Sequence, residues 1–208
     1  MKKSKRSKKS NSWKIKQHRD PFFKRSKTLG YRSRASFKLI ELNEKFKFLK
    51  TNSNLLDLGA YPGSWSQVAS KIITKGKILS IDIKNMSPIK NVNFYKSDIF
   101  EKTTKDKIRD FFNGKLEVII SDMAADTTGN KSLDSIRTNQ LCLEILLLSP
   151  KVLVSNGVFV SKVFMGDDFS QVKTLAKLTF ENVNFFKPES SRSESKETYL
   201  HCKILKSL

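Results

Sequence analysis

Five apolar runs in this 208-residue chain close on a residue able to do chemistry. They span residues 54–59, 77–82, 92–98, 116–122 and 157–164, and their closing polar residues are Asp57 with Gly59, Asp82, Asp98, Asp122 and Lys162. A single carboxylate after a strand can simply cap the next helix. A row of acids along one sheet edge would repel itself unless ligands or cations used it. The first run continues as Asp57-Leu-Gly-Ala-Tyr-Pro-Gly-Ser-Trp-Ser-Gln67, a glycine-bearing loop leading into a helix. Gly59 and Gly63 allow positive φ or close approach of a ligand, and the helix start behind them offers unpaired N–H groups. The spacing is not the Gly-x-Gly-x-x-Gly that cradles a pyrophosphate. Acids around such a loop suit a cofactor with hydroxyls and a cationic amino group, and S-adenosylmethionine is such a molecule. Asp82, 23 residues beyond Gly59, is spaced to hold ribose hydroxyls, and Asp98 to accept from an adenine amino group.

These residues must be carried by strands and helices in alternation. The apolar runs are short and rich in β-branched and aromatic residues, and four of the five are nearly continuously apolar, as strands buried on both faces should be. Helical patterns lie between them at 64–73, 103–112 and 132–155, with a short turn near Asn85. Pro150 is expected to kink or split the third of these helices. An amphipathic helix is expected from Ser33, its N-cap, to about residue 48, and another at 169–180 before strands at 183–187 and 198–205. Strands separated by helices make βαβ units. The expected fold is therefore α/β, a mainly parallel sheet with helices on both faces, whose ligands bind beyond the carboxyl ends of the strands.

Composition narrows the partners. Lys and Arg number 40 against 20 acids, a net charge of +20, too basic for an ordinary enzyme of small metabolites. Residues 1–50 hold 18 of those bases and three acids, a net of +15, so the basicity is local. Such a segment anchors a polyanion, since each phosphate neutralised releases condensed counterions. Residues 1–20 read as a flexible basic tail and 21–208 as the folded domain. Hydrophobic content of 38%, with 15 Phe, supplies a core and excludes wholesale disorder. Cys142 and Cys202 cannot form a disulfide framework, and with only His18 and His201 no zinc-ligand spacing exists, so no metal is expected. The cationic N-terminus leads into no apolar run, residues 1–27 lack a coherent apolar face, and no bilayer-spanning stretch follows. The expectation is a cytoplasmic protein that binds nucleic acid rather than membrane.

Together these residues resemble the FtsJ-like ribosomal RNA 2′-O-ribose methyltransferases, a branch of the Rossmann-like S-adenosylmethionine-dependent enzymes. The resemblance runs from about Asp20 to the C-terminus. It rests on Tyr31-Arg-Ser-Arg-Ala-Ser-Phe-Lys-Leu39, the 57–67 loop, Ser121-Asp-Met-Ala124, Ser161-Lys-Val-Phe164 and Lys187-Pro-Glu-Ser-Ser-Arg-Ser-Glu-Ser-Lys-Glu-Thr-Tyr199. It implies a seven-stranded sheet, catalytic residues at Lys38, Asp122, Lys162 and Glu197, and cofactor contacts at Gly63, Trp65, Asp82, Asp98 and Asp122. It also implies a uridine of the large-subunit ribosomal RNA as target, with no obligate protein partner. Transfer RNA or capped messenger RNA as substrate, or a non-catalytic assembly factor on the same fold, are the competing readings. Tyr61, Ser64 and Ala125-Asp126 depart from the commoner pattern of relatives.

Ribose methylation requires a weakly acidic alcohol to attack a sulfonium methyl in line while losing its proton. A lysine serves as base only when neutral, and a second cation nearby favours that form. On this reading Lys162 is the base and Asp122 positions it, while Lys38 and Glu197 orient the ribose and complete the charge network. Arg32, Arg34 and Arg192 are expected to contact phosphates. Cys142 and His201 are expected to be structural, and Trp13 could stack on a base.

Overall fold

The computed structural model describes residues 20–114, 116–166 and 168–207. The basic tail, with Trp13 and His18, lies outside the described residues apart from Asp20.

The chain opens with helix α1 (Pro21–Thr28), which the sequence pattern does not anticipate. Its signal is the Asp20-Pro21 pair. The Asp20 carboxylate accepts from the N–H groups of Phe22 and Phe23, and Pro21 stands where no intrahelical donor is needed. Helix α2 (Ala35–Phe46) follows, with Ser33 just ahead of it accepting from the Ala35 N–H. Lys47 ends α2 in the left-handed conformation, one residue short of the expected boundary.

Then come β1 (Leu55–Leu58), α3 (Ser64–Ile72), β2 (Ile78–Asp82), β3 (Asn93–Lys96), α4 (Lys102–Phe112) and β4 (Leu116–Ser121). Helix α5 (Lys131–Val152), β5 (Leu153–Phe164), α6 (Phe169–Thr179), β6 (Phe180–Phe186) and β7 (Glu197–Leu205) complete the chain. The seven strands form one sheet in the order β3-β2-β1-β4-β5-β7-β6. Pairings among the first five are parallel, and β7 runs antiparallel to both β5 and β6. The strand order reverses between β1 and β4, which opens a crevice above their carboxyl ends.

Alternation along the strands divides the core into two layers. Leu56, Leu58, Ile119 and Phe159 pack with Ile108 and Phe112 of α4, Cys142 and Leu146 of α5, and Val172 of α6. On the other face Leu55, Val118, Ile120 and Val160 meet Leu39 and Leu42 of α2 and Trp65 and Val68 of α3. Each such buried aliphatic side chain contributes about 1.5–3 kcal/mol of transfer free energy. This double covering is why β1, β2 and β4 are buried at nearly every position and their sequences are mostly apolar.

Pro150 does not split α5, which continues to Val152. A proline there leaves the Leu146 carbonyl without its usual donor, and the Ser149 hydroxyl donates to that carbonyl at 2.7 Å. The segment expected as the end of that helix, 153–155, is instead the beginning of β5, whose register against β4 shifts between Leu116 and Val118.

Candidate active site

At the upper rim, the strand ends and α2 bring four charged side chains together. Asp122 follows the last residue of β4, Lys162 lies near the end of β5, Glu197 begins β7, and Lys38 reaches in from the first turn of α2. Lys162 Nζ is 2.9 Å from Asp122 Oδ1 and donates to the Asp122 carbonyl at 2.7 Å. Lys38 Nζ is 2.7 Å from Glu197 Oε1. The longer contacts are 4.0 Å for Lys38 with Asp122 and 3.9 Å for Lys162 with Glu197. Each amine thus lies within reach of both carboxylates. The cations expected to repel one another are interleaved with two anions, so the cluster is formally neutral.

Two further side chains complete it that sequence reasoning misses. The Tyr199 hydroxyl donates to Asp122 Oδ1 at 2.7 Å, and its ring lies beneath the Lys38 ammonium, 5.6 Å from the centroid. The Ser191 hydroxyl donates to Glu197 Oε1 at 2.8 Å. Tyr199 stands two residues beyond Glu197, on the same strand face by the period of two, and that spacing is the available signal. Ser191 has none, since its position depends on how the β6–β7 connection folds back. Burial by itself would raise the Asp122 carboxyl, but Lys162, Lys38 and the Lys162 and Tyr199 hydrogen bonds outweigh it and hold the group below its ordinary value. Burial, followed by the Asp122 and Glu197 charges, pushes the Tyr199 phenol well above its own.

The 57–67 loop stands beside this cluster. Gly63 has φ +103° and is the N-cap of α3, so no side chain caps that helix. A Cβ there would come within 2.8 Å of Arg32 Nη1, Met86 Sδ and Ile89 Cδ1. Trp65 is buried, and its indole N–H donates to the Ala35 carbonyl at 2.8 Å, so what it can offer a ligand is its backbone N–H in the first turn. Asp82 accepts from Tyr61 N–H and Lys84 N–H, one bond to each oxygen, which leaves lone pairs for further donors. Asp98 is exposed and accepts from the Phe100 N–H. These acids and the uncapped helix start fit a cofactor carrying hydroxyls, an amino group and a carboxylate.

Asp57, in contrast, is not part of the acidic rim. It is 1% exposed, and its carboxylate accepts from the Ser66 hydroxyl at 2.6 Å beneath the loop.

On the other side of Lys38 and Glu197 a cavity of about 840 Å³ opens between α2, the start of α5, Met165 and the β6–β7 connection. Arg192, Lys131 and Lys196 line it. Of the two arginines read from sequence as phosphate contacts, Arg34 lines the cavity but already has protein partners, and Arg32 is held elsewhere. Arg34 pairs with Asp20 and donates to the Ser190 carbonyl, while burial and then the Arg192 charge lower its pKa. Arg32 donates to the carbonyls of Pro62, Ser87 and Pro88. A guanidinium already surrounded by carbonyl acceptors has few donors left for phosphate. Glu41 accepts from the Glu189 N–H at 2.5 Å and the Ser190 N–H at 3.1 Å, pinning the β6–β7 connection to α2.

His201 is buried and stacks on Phe46 with centroids 4.0 Å apart, and Cys142 is in the core, as their sequence contexts suggest. Among the described residues, no helix is long and apolar enough to cross a membrane.

A seven-stranded sheet with this order, and a glycine-bearing loop above the reversal of strand order, is the Rossmann-like methyltransferase fold. Human methyltransferase-like protein 13, solved with S-adenosylhomocysteine, shares it at a TM-score of 0.57 and 17% identity over 81% of this chain and 79% of that one. The profile of the FtsJ-like methyltransferases matches residues 31–205. The ribosomal RNA large subunit methyltransferase E of Pelagibacter ubique is 45% identical over 95% of this chain and 97% of its own. That of Rickettsia canadensis is 44% identical over 94% of this chain and 89% of its own. A crystal structure of a ribosomal RNA methyltransferase from Plasmodium falciparum superposes with a TM-score of 0.75 at 36% identity, covering 84% of this chain and 98% of that one. The chain belongs to the FtsJ-like methyltransferase family.

Proposed function

We propose that this protein transfers the methyl group of S-adenosylmethionine to the 2′-hydroxyl of a uridine in large-subunit ribosomal RNA, and that Lys38, Asp122, Lys162 and Glu197 carry the reaction. The observation behind this reading is the convergence of two lysines on two carboxylates between the glycine-bearing loop and the cavity. The names of the relatives at 44–45% identity support the ribosomal target. They favour it over transfer or messenger RNA.

The cofactor supplies an electrophilic methyl on a sulfonium. Asp82 would accept from its ribose hydroxyls, Asp98 from its adenine amino group and Asp122 from its methionine amino group, with the backbone of Gly63 and Trp65 against it. On the RNA side Lys162, once its ammonium has given up a proton to solvent, takes the proton of the 2′-hydroxyl as the oxygen attacks. Asp122 stays ionised, because its pKa is held down, and so stabilises the ammonium that forms on Lys162. Lys38, fixed by Glu197 and by the Tyr199 ring, donates to the ribose and orients it. The cavity is of the size that ligand sites usually have and would hold the target nucleotide, with Arg192, Lys131 and Lys196 toward flanking phosphates.

Transfer of labelled methyl from S-adenosylmethionine to purified large subunits, free ribosomal RNA and transfer RNA, followed by nuclease mapping, tests the assignment. Label on a uridine 2′-oxygen of the large-subunit RNA, reduced by about a thousandfold or more in Lys162→Ala, is the expected result. Label on transfer RNA alone would overturn the target. Undiminished turnover by Lys162→Ala would overturn the base.

A further inference from the structure

Arg32 lies outside the charged cluster, yet it joins more of the cofactor side of the molecule than any residue within that cluster. Its Nη1 donates to Pro62 O at 2.9 Å and Ser87 O at 2.8 Å, and its Nη2 to Pro88 O at 2.9 Å. Pro62 belongs to the β1–α3 loop, and Ser87 and Pro88 to the β2–β3 connection. Gly63 belongs to the first of these segments, and Asp82 directly precedes the second. The guanidinium lies so near the loop that a Cβ on Gly63 would sit 2.6 Å from Nη1. The backbone around Arg32 is held to the same region. Its N–H donates to Gln67 Oε1 at 2.8 Å, the Gln67 amide donates to the Gly30 carbonyl at 3.2 Å, and Ser33 and Ser64 share a hydroxyl contact of 2.7 Å.

We propose that Arg32 is a positioning residue that sets the spacing of the two cofactor-binding loops and couples them to the substrate side through α2. The inference rests on the cofactor reading above. Only a planar fork of donors can bridge three carbonyls at fixed angles, and an ammonium on a flexible stem cannot reproduce it. Six residues on from Arg32 the same chain reaches Lys38, so residues 30–33 tie the cofactor loops to the start of α2. The crevice and the cavity are thereby two ends of one short, tightly bonded segment. Linkage then requires that cofactor and RNA alter each other's affinity by the same factor.

The test compares the full chain with Arg32→Ala and Arg32→Lys, using calorimetric titration with S-adenosylhomocysteine and binding of a large-subunit RNA transcript with and without it. Both variants are expected to bind S-adenosylhomocysteine at least tenfold more weakly, while RNA affinity without it stays within twofold. KM for S-adenosylmethionine is expected to rise with kcat at saturation within threefold, and the factor by which S-adenosylhomocysteine alters RNA affinity is expected to shrink toward one. Should Arg32→Ala fail to fold, as shown by its thermal melt, Arg32→Lys decides. Unchanged S-adenosylhomocysteine affinity in a folded variant overturns the inference, and if RNA affinity falls instead, Arg32 is a phosphate contact. Failure of the unaltered protein to bind S-adenosylhomocysteine would bring down the cofactor reading itself, an outcome separate from either.

Discussion

Asp57 is a carboxyl placed where its charge is disfavoured, and replacing it by Asn is expected to make the protein more stable above neutrality. The side chain is 1% exposed. Burial is the largest influence on it, the Ser66 hydrogen bond opposes burial, and the charges of Asp122 and Asp82 add to the rise, which brings the carboxyl from 3.8 up to about 7. A folded pKa above the unfolded one means that the native state binds the proton more tightly. The stability it contributes is fully present below about pH 4 and is lost as the pH rises through about 7. A rise of roughly three units corresponds to about 4 kcal/mol across that window. Asn keeps an acceptor for the Ser66 hydroxyl but carries no charge at any pH. Chemical denaturation of both proteins at intervals from about pH 4 to about pH 8 measures the difference directly. The advantage of Asp57→Asn should grow by about 1.4 kcal/mol per pH unit until it levels near neutrality. Parallel stability curves would show that Asp57 is not buried as a titrating carboxyl, and the reasoning would fail.

Tyr199→Phe removes one of the donors that hold the Asp122 carboxyl down, so the acid limb of the rate profile should move to higher pH and turnover should fall about tenfold, read from kcat against pH. Glu41→Ala frees the backbone of Glu189 and Ser190, at a cost of about 2 kcal/mol in denaturation, and by loosening Ser191 and Glu197 should lower kcat more than cofactor affinity. Deleting residues 1–19, which carry nine Lys and Arg, should weaken RNA binding and flatten the plot of log Kd against log salt, by about 0.7–0.9 for each phosphate that the tail neutralises. That truncation should leave S-adenosylhomocysteine binding unchanged. It must stop short of Asp20, whose carboxylate caps α1 and pairs with Arg34.

What can be read in the chain follows from local rules. The apolar runs ending in Asp82 and Asp122, and the run around Lys162, are strands of a doubly covered sheet, because burial on both faces leaves no room for alternation. The boundaries that differ do so for reasons the pattern does not carry. Residues 153–155 are strand rather than helix because β5 reaches back to pair Leu153 with Leu116. Helix α1 escapes the pattern because its eight residues have a low mean hydropathy, and only the Asp20-Pro21 cap announces it.

The four charged residues of the cluster are legible through their motifs, but their partners are not. Ser191 reaches Glu197 only because Arg34 and Glu41 fold the β6–β7 connection onto α2, contacts between distant parts of the chain that no local pattern contains. The same applies to the arginines. The 31–39 motif locates the positive charge correctly, yet whether a guanidinium faces solvent phosphate or protein carbonyls depends on which loops arrive beside it. Asp57, by sequence one more acid at a strand end, turns inward to Ser66. Residue type and spacing alone determined the sheet, the glycine-bearing loop and the kinds of group at the rim. Tertiary structure decided which of those groups share a site, because a charge is used according to the partners within hydrogen-bond reach, and these are far away along the sequence.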